Sequence, residues 1–133
     1  MDKFSKSIHD QISFNFPQLI CNYNTETPFL ELEIPTMNNS KLGGLVIQTT
    51  EDKDIWIRNH HPCSAYLVTT IEELITIIKG VLSNKILWVI AFKHEEWVET
   101  TLTYEDADVD TEEGETYTVL SWSGTSDRTF KVE

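Results

Sequence analysis

Apolar positions in the first fifteen residues recur every fourth place, at Phe4, Ile8 and Ile12. Side chains four apart share one face of a helix and Pro17 blocks any continuation, so the spacing predicts a helix of about three turns. From Pro28 the period falls to two. Leu30, Leu32 and Ile34 alternate with Glu31 and Glu33, the pattern of a half-buried strand, which Pro35 stops. Asn38-Asn39-Ser40-Lys41 and Gly43-Gly44 supply turn chemistry. Leu45 to Thr50 and Asp54 to Arg58 are β-rich runs around Glu51-Asp52-Lys53, and they read as a hairpin.

Beyond His61-Pro62, the short strand Ala65 to Val68 leads into the clearest helix of the chain, residues 70–83. Thr70 followed by Glu73 is a capping box, and Ile71, Leu74, Ile75, Ile78 and Leu82 keep helical spacing up to Ser83-Asn84. Ile86 to Phe92 is nearly uninterrupted apolar sequence, as expected of a central strand covered on both faces, or on one face plus an edge. Trp97 to Tyr104 and Tyr117 to Trp122 are two more strands rich in Thr, Val, Tyr and Trp, with Asp106 to Glu115 as an acidic loop between them. Ser123-Gly124-Thr125-Ser126-Asp127 turns the chain into a last run, Thr129 to Val132. Consecutive strands joined by turns predict an α+β fold in one domain, 1–133. Its mostly antiparallel sheet has about six to eight strands, with helix 70–83 packed on it beside the short N-terminal helix.

At 133 residues the chain can bury roughly two thirds of the surface its unfolded form exposes, enough for a core without staples. Hydrophobic residues make up 40% of it, too many for a disordered chain. Charge changes the picture more. Residues 1–93 hold eight Lys/Arg against ten Asp/Glu, whereas residues 94–133 hold two against twelve. Almost all of the net charge of −12 therefore belongs to the last forty residues, and no Lys or Arg stands between Lys93 and Arg128. A negative field must project from that region, attracting basic proteins or cations and repelling nucleic acid. No apolar run approaches a membrane span, and Met1-Asp2-Lys3-Phe4-Ser5-Lys6 does not open a signal peptide, which points to the cytoplasm. In that compartment Cys21 and Cys63 are expected as free thiols.

Candidate catalytic motifs fail one by one. His94-Glu95-Glu96-Trp97-Val98 starts like a zinc-protease helix, but Val98 stands where the second histidine must be. His60, His61 and Cys63 could supply metal ligands or a Cys-His pair; adjacent residues of an extended chain point apart, and no fourth ligand is visible unless His94 folds nearby. Asp106, Asp108 and Asp110 match the start of a calcium loop, but Thr111 replaces its glycine and Tyr117 its bidentate glutamate. Phosphate-binding glycine loops and a nucleophile elbow are absent from the sequence. No cofactor, no metal site and no catalytic residue is expected.

What remains is a partner-binding surface. Glu105, Asp106, Asp108, Asp110, Glu112, Glu113 and Glu115 are seven carboxylates within eleven positions. In an extended chain, side chains two apart lie on one face about 6.6 Å from each other, so the segment presents charge somewhat as a phosphate backbone does. The plainer reading is a solvated hairpin loop that only confers solubility. Trp88 is assigned to the core. Trp97 and Trp122 border the acidic stretch and suit binding anchors, or else pack across strands.

In size, acidity, α+β pattern and the aromatic-rich stretch Glu96 to Glu115, the chain resembles the small acidic cytoplasmic immunity proteins of bacterial contact-dependent inhibition and other polymorphic-toxin systems. The resemblance implies a tight complex with a cognate toxin domain, often a basic nuclease, whose active site or substrate groove is covered. Two other readings stand beside it. A DNA mimic would bind several DNA-binding proteins, and an enzyme or small-ligand binder would hold a pocket between helix 70–83 and the sheet, with His60, His61 or His94 in it.

Overall fold

The computed structural model describes residues 1–36 and 40–133; Asn38-Asn39 of the predicted turn lies outside the described residues. Helix α1 (Lys3–Asn15) starts where the Asp2 carboxylate accepts the Ser5 backbone N–H at 2.7 Å. It buries Ile8 and Ile12, as the four-residue spacing predicts, together with Ser5. The Ser5 hydroxyl shares a hydrogen with Thr49 Oγ1 at 2.5 Å, and Thr49 Oγ1 accepts the Leu30 N–H at 2.9 Å. Three buried polar groups are thus satisfied where α1 meets the sheet.

Five strands follow: β1 (Asn22–Tyr23), β2 (Glu31–Pro35), β3 (Gly44–Thr49), β4 (Ile55–Arg58) and β5 (Tyr66–Val68). They form an antiparallel sheet in sequence order, with the expected hairpin between β3 and β4. Helix α2 (Ile71–Leu82) is capped as predicted, the Thr70 hydroxyl accepting the Glu73 N–H, and it buries Leu74, Ile77, Ile78 and Val81. Strands β6 (Ile86–Lys93), β7 (Glu96–Tyr104), β8 (Glu115–Leu120) and β9 (Arg128–Lys131) then build a second antiparallel sheet in the order β7-β6-β8-β9.

The α+β class and both helices follow the sequence pattern. The nine strands divide between two sheets, where the spacing suggested one. Periodicity states which side of a strand faces a core; it does not state which strands pair. Strand β6 is central, as its apolar run requires. Ile86, Trp88 and Ile90 enter the main core with both helices and the inner face of the first sheet, while Leu87, Val89 and Ala91 enter a second cluster on the opposite face with Tyr117 and Val119.

The β6–β7 hairpin turns through His94 and Glu95, both at positive φ (51° and 65°). Two consecutive left-handed residues make a type I′ turn, which favours Asn-Gly, and each non-glycine there carries strain. Replacing His94→Asn and Glu95→Gly together is expected to stabilise the protein by about 1 kcal/mol, read as a higher urea midpoint at unchanged slope. A lower midpoint would mean that the native side chains make contacts worth more than the strain.

Candidate protein-binding face

Strands β7 and β8 are not the two arms of a hairpin; β6 lies between them and pairs with both. Tyr104, at the end of β7, stands opposite Ile86, whereas Glu115, at the start of β8, stands opposite Lys93. The acidic segment must therefore travel the length of β6, roughly 23 Å for seven strand steps, and cross sideways to the far neighbour of β6. Ten residues, 105–114, make this journey, so most of them have to be extended. They run over the outer face of the sheet, where Val109 packs on Leu87, Val89, Ala91 and Val119. The solvated hairpin loop considered from sequence is in fact a strap covering a small second core.

This path sorts the seven carboxylates. Asp108 and Asp110, on either side of the inward Val109, are exposed, as are Glu105, Asp106, Glu112 and Glu113. Among the described residues none of these six has a Lys, Arg or His within ion-pair distance. Glu115 differs. It is 5% exposed, and its Oε2 accepts the Tyr117 hydroxyl at 2.6 Å while the Tyr117 oxygen accepts the Glu112 N–H at 2.6 Å. Burial and the hydrogen bond to Glu115 raise the Tyr117 phenol above its ordinary value of 10.0. Glu115 thus anchors the end of the strap instead of belonging to its acidic outer face.

The two tryptophans also part company. Trp97 is 51% exposed, and its indole N–H donates to Thr100 Oγ1 at 3.0 Å. The Thr100 hydroxyl donates in turn to the Cys63 carbonyl, so a fixed ring presents its apolar surface to solvent. A register shift between Ala91 and Phe92 leaves Val98 unpaired beside it, also exposed. Trp122 follows β8 and is partly buried against the main core, so it is neither an exposed anchor nor part of a cross-strand aromatic pair among the described residues. Trp88 is fully buried, as assigned. Exposed on the edge strand β7 are Glu96, Trp97, Val98, Glu99 and Tyr104; by register Trp97 and Tyr104 stand opposite Phe92 and Ile86, on the side of the sheet that meets the main core, whereas the strap's six exposed carboxylates lie over the opposite side. Sequence analysis did not single out Val98 and Tyr104; their exposure follows from β7 lying at the sheet edge.

The histidines go elsewhere. His60 Nε2 lies 2.9 Å from Glu33 Oε2, and its ring packs so closely on Gly43 that a Cβ there would fall 2.5 Å from Nδ1. With one ring nitrogen on the carboxylate and the other against backbone, the pair is ill suited to take a proton from a substrate. His61 Nδ1 accepts the Cys63 N–H at 3.1 Å, and the ring faces Phe92. Burial lowers its pKa from the ordinary 6.5, keeping it neutral at pH 7. His60 and His61 do point apart, and His94 sits in the hairpin turn. Both cysteines are free thiols, with burial raising Cys21.

Among the described residues no three His, Cys, Asp or Glu side chains converge as a metal site, and no helix is long and apolar enough to cross a membrane. The cleft between α2 and the second sheet is lined by Tyr66, Glu73, Ile77, Ile86, Leu102 and Tyr104 among others, and none of the three histidines reaches it. Compared with protein-family models, with curated proteins and with solved structures, the chain finds no match in any of the three.

Proposed function

We propose that the protein is a cytoplasmic inhibitor of the immunity type, which binds a cognate basic toxin domain, a nuclease, and covers its active site or substrate groove. The observation that carries this reading is the division of labour within the strap. Its structural task, covering Leu87, Val89 and Val119, rests on Val109 and on the Glu115–Tyr117 anchor. Six exposed carboxylates contribute nothing to that task and repel one another, and among the described residues none of them forms an ion pair. A surface that the fold does not require, and that costs it self-repulsion, points to an electrostatic partner.

Nuclease grooves are lined with Lys and Arg for phosphates, so a rigid acidic strap would steer association. Trp97 and Val98, exposed on the edge strand β7, supply the desolvated anchor that steering alone lacks. Inhibition is by occlusion and needs no chemistry from this chain.

The test is capture by the tagged protein from lysate of its source cells at low salt, followed by an activity assay of what is captured. The expected result is one basic toxin domain whose nuclease activity is abolished at equimolar inhibitor. Several DNA-binding proteins, displaced by added DNA, would replace this reading with DNA mimicry. Capture of no basic protein would overturn both.

A further inference from the structure

Where β5 of the first sheet, α2 and the edge strand β7 of the second sheet meet, a cleft of about 230 Å³ opens. Ile77, Ile86 and Leu102 supply its apolar lining, Tyr66 and Tyr104 its aromatic rings, and Glu73 its one carboxylate. Small-molecule sites usually occupy 300–1,000 Å³. This one holds roughly eight waters by liquid volume, room for a single long side chain.

The chemistry of the lining narrows the occupant. Glu73 Oε2 accepts the Thr69 hydroxyl at 2.6 Å, which fixes the carboxylate; among the described residues Oε1 accepts nothing. Lys79 and Lys85, the nearest basic residues in sequence, form no ion pair with it. A fixed and uncompensated carboxylate beside two tyrosine rings favours a cation, and the isoleucine and leucine surface favours an alkyl chain. Tyr104 is 56% exposed and runs directly into Glu105 and Asp106, so the strap's negative field begins at the cleft. We propose that this cleft receives one long basic side chain, arginine or lysine, of the protein partner. The stem lies over Ile77, Ile86 and Leu102, and the cation meets Glu73 and a tyrosine ring. The inference deepens the reading above and rests on it for the identity of the partner, although the cleft can be probed without one.

The probe is N-acetylarginine N-methylamide, with the citrulline analogue as its uncharged isostere, titrated into the labelled protein and followed by amide NMR shifts. The arginine compound is expected to give saturable shifts at Thr76, Ile77, Leu102, Thr103 and Tyr104, and the citrulline compound none. Glu73→Gln, at a helix surface, is expected to weaken arginine binding about tenfold. Equal responses to the two compounds, shifts spread along the strap without saturation, or an unchanged response in Glu73→Gln would each overturn the cleft assignment. If the toxin domain is captured and neutralised yet the cleft ignores arginine, the inhibitor reading stands and this inference falls. Arginine-selective binding without capture of any basic protein would support the cleft and overturn that reading.

Discussion

Neutralising Asp106, Asp108 and Asp110 together to Asn is expected to slow association with the basic partner by about tenfold to a hundredfold at low salt, without destabilising the free protein. All three are exposed and outside any ion pair, so their charge acts at a distance rather than in a contact. Electrostatic steering raises association rates by about 10 to 10³, and at physiological salt charges more than about 8 Å apart are largely screened. The variant should therefore show a flatter dependence of on-rate on ionic strength and a smaller change in off-rate. Removing three of six mutually repelling charges should leave the melting temperature equal or higher. Stopped-flow association at low and physiological salt, with a thermal melt of the free protein, reads both effects. An unchanged on-rate at low salt would exclude the strap from the encounter, and a lower melting temperature would show that these carboxylates hold the fold.

Val109→Asp should do the reverse, lowering stability by about 1–3 kcal/mol. Val109 is the strap's apolar contribution to the cluster of Leu87, Val89, Ala91, Tyr117 and Val119, which Phe130 and Val132 also cover. Fully burying a valine contributes about 1.5–3 kcal/mol and Val109 is partly buried, so its loss costs less, while an unpaired carboxylate against an apolar surface adds to the cost. Detachment of the strap limits the loss, because a freed segment takes the new charge into water. Urea unfolding measures the cost, and proteolysis within 105–114 should become much faster in the variant under native conditions. Wild-type stability in this variant would mean that Val109 does not hold the strap. The two substitutions alternate along one extended segment, and their opposite signatures would separate what the strap does for the fold from what it offers a partner.

Much of the architecture can be read from residue spacing. Phe4, Ile8 and Ile12 mark α1, the capping box at Thr70 starts α2 at its observed position, and the unbroken run Ile86 to Phe92 identifies the strand buried on both faces. Each signal is local, because helical and strand periods, caps and prolines act within a few residues. The charge asymmetry is equally plain, since it is a property of composition.

Pairing lay beyond local signals. Asp106 to Glu115 has the same composition as a hairpin loop or as a strap; which it becomes depends on whether β8 pairs with β7 or with the far side of β6, a choice made by long-range hydrogen bonds. That choice withdrew Glu115 into a buried bond with Tyr117, turned Val109 inward, and separated an exposed Trp97 from a half-buried Trp122. It also joined α2, β5 and β7 around a cleft whose lining comes from residues 66 to 104. The sequence by itself determined the elements, the α+β class and the sign and place of the charge, because these follow from neighbours along the chain. Only the tertiary structure decided which carboxylates and which aromatics are exposed, because burial depends on contacts between residues far apart in sequence.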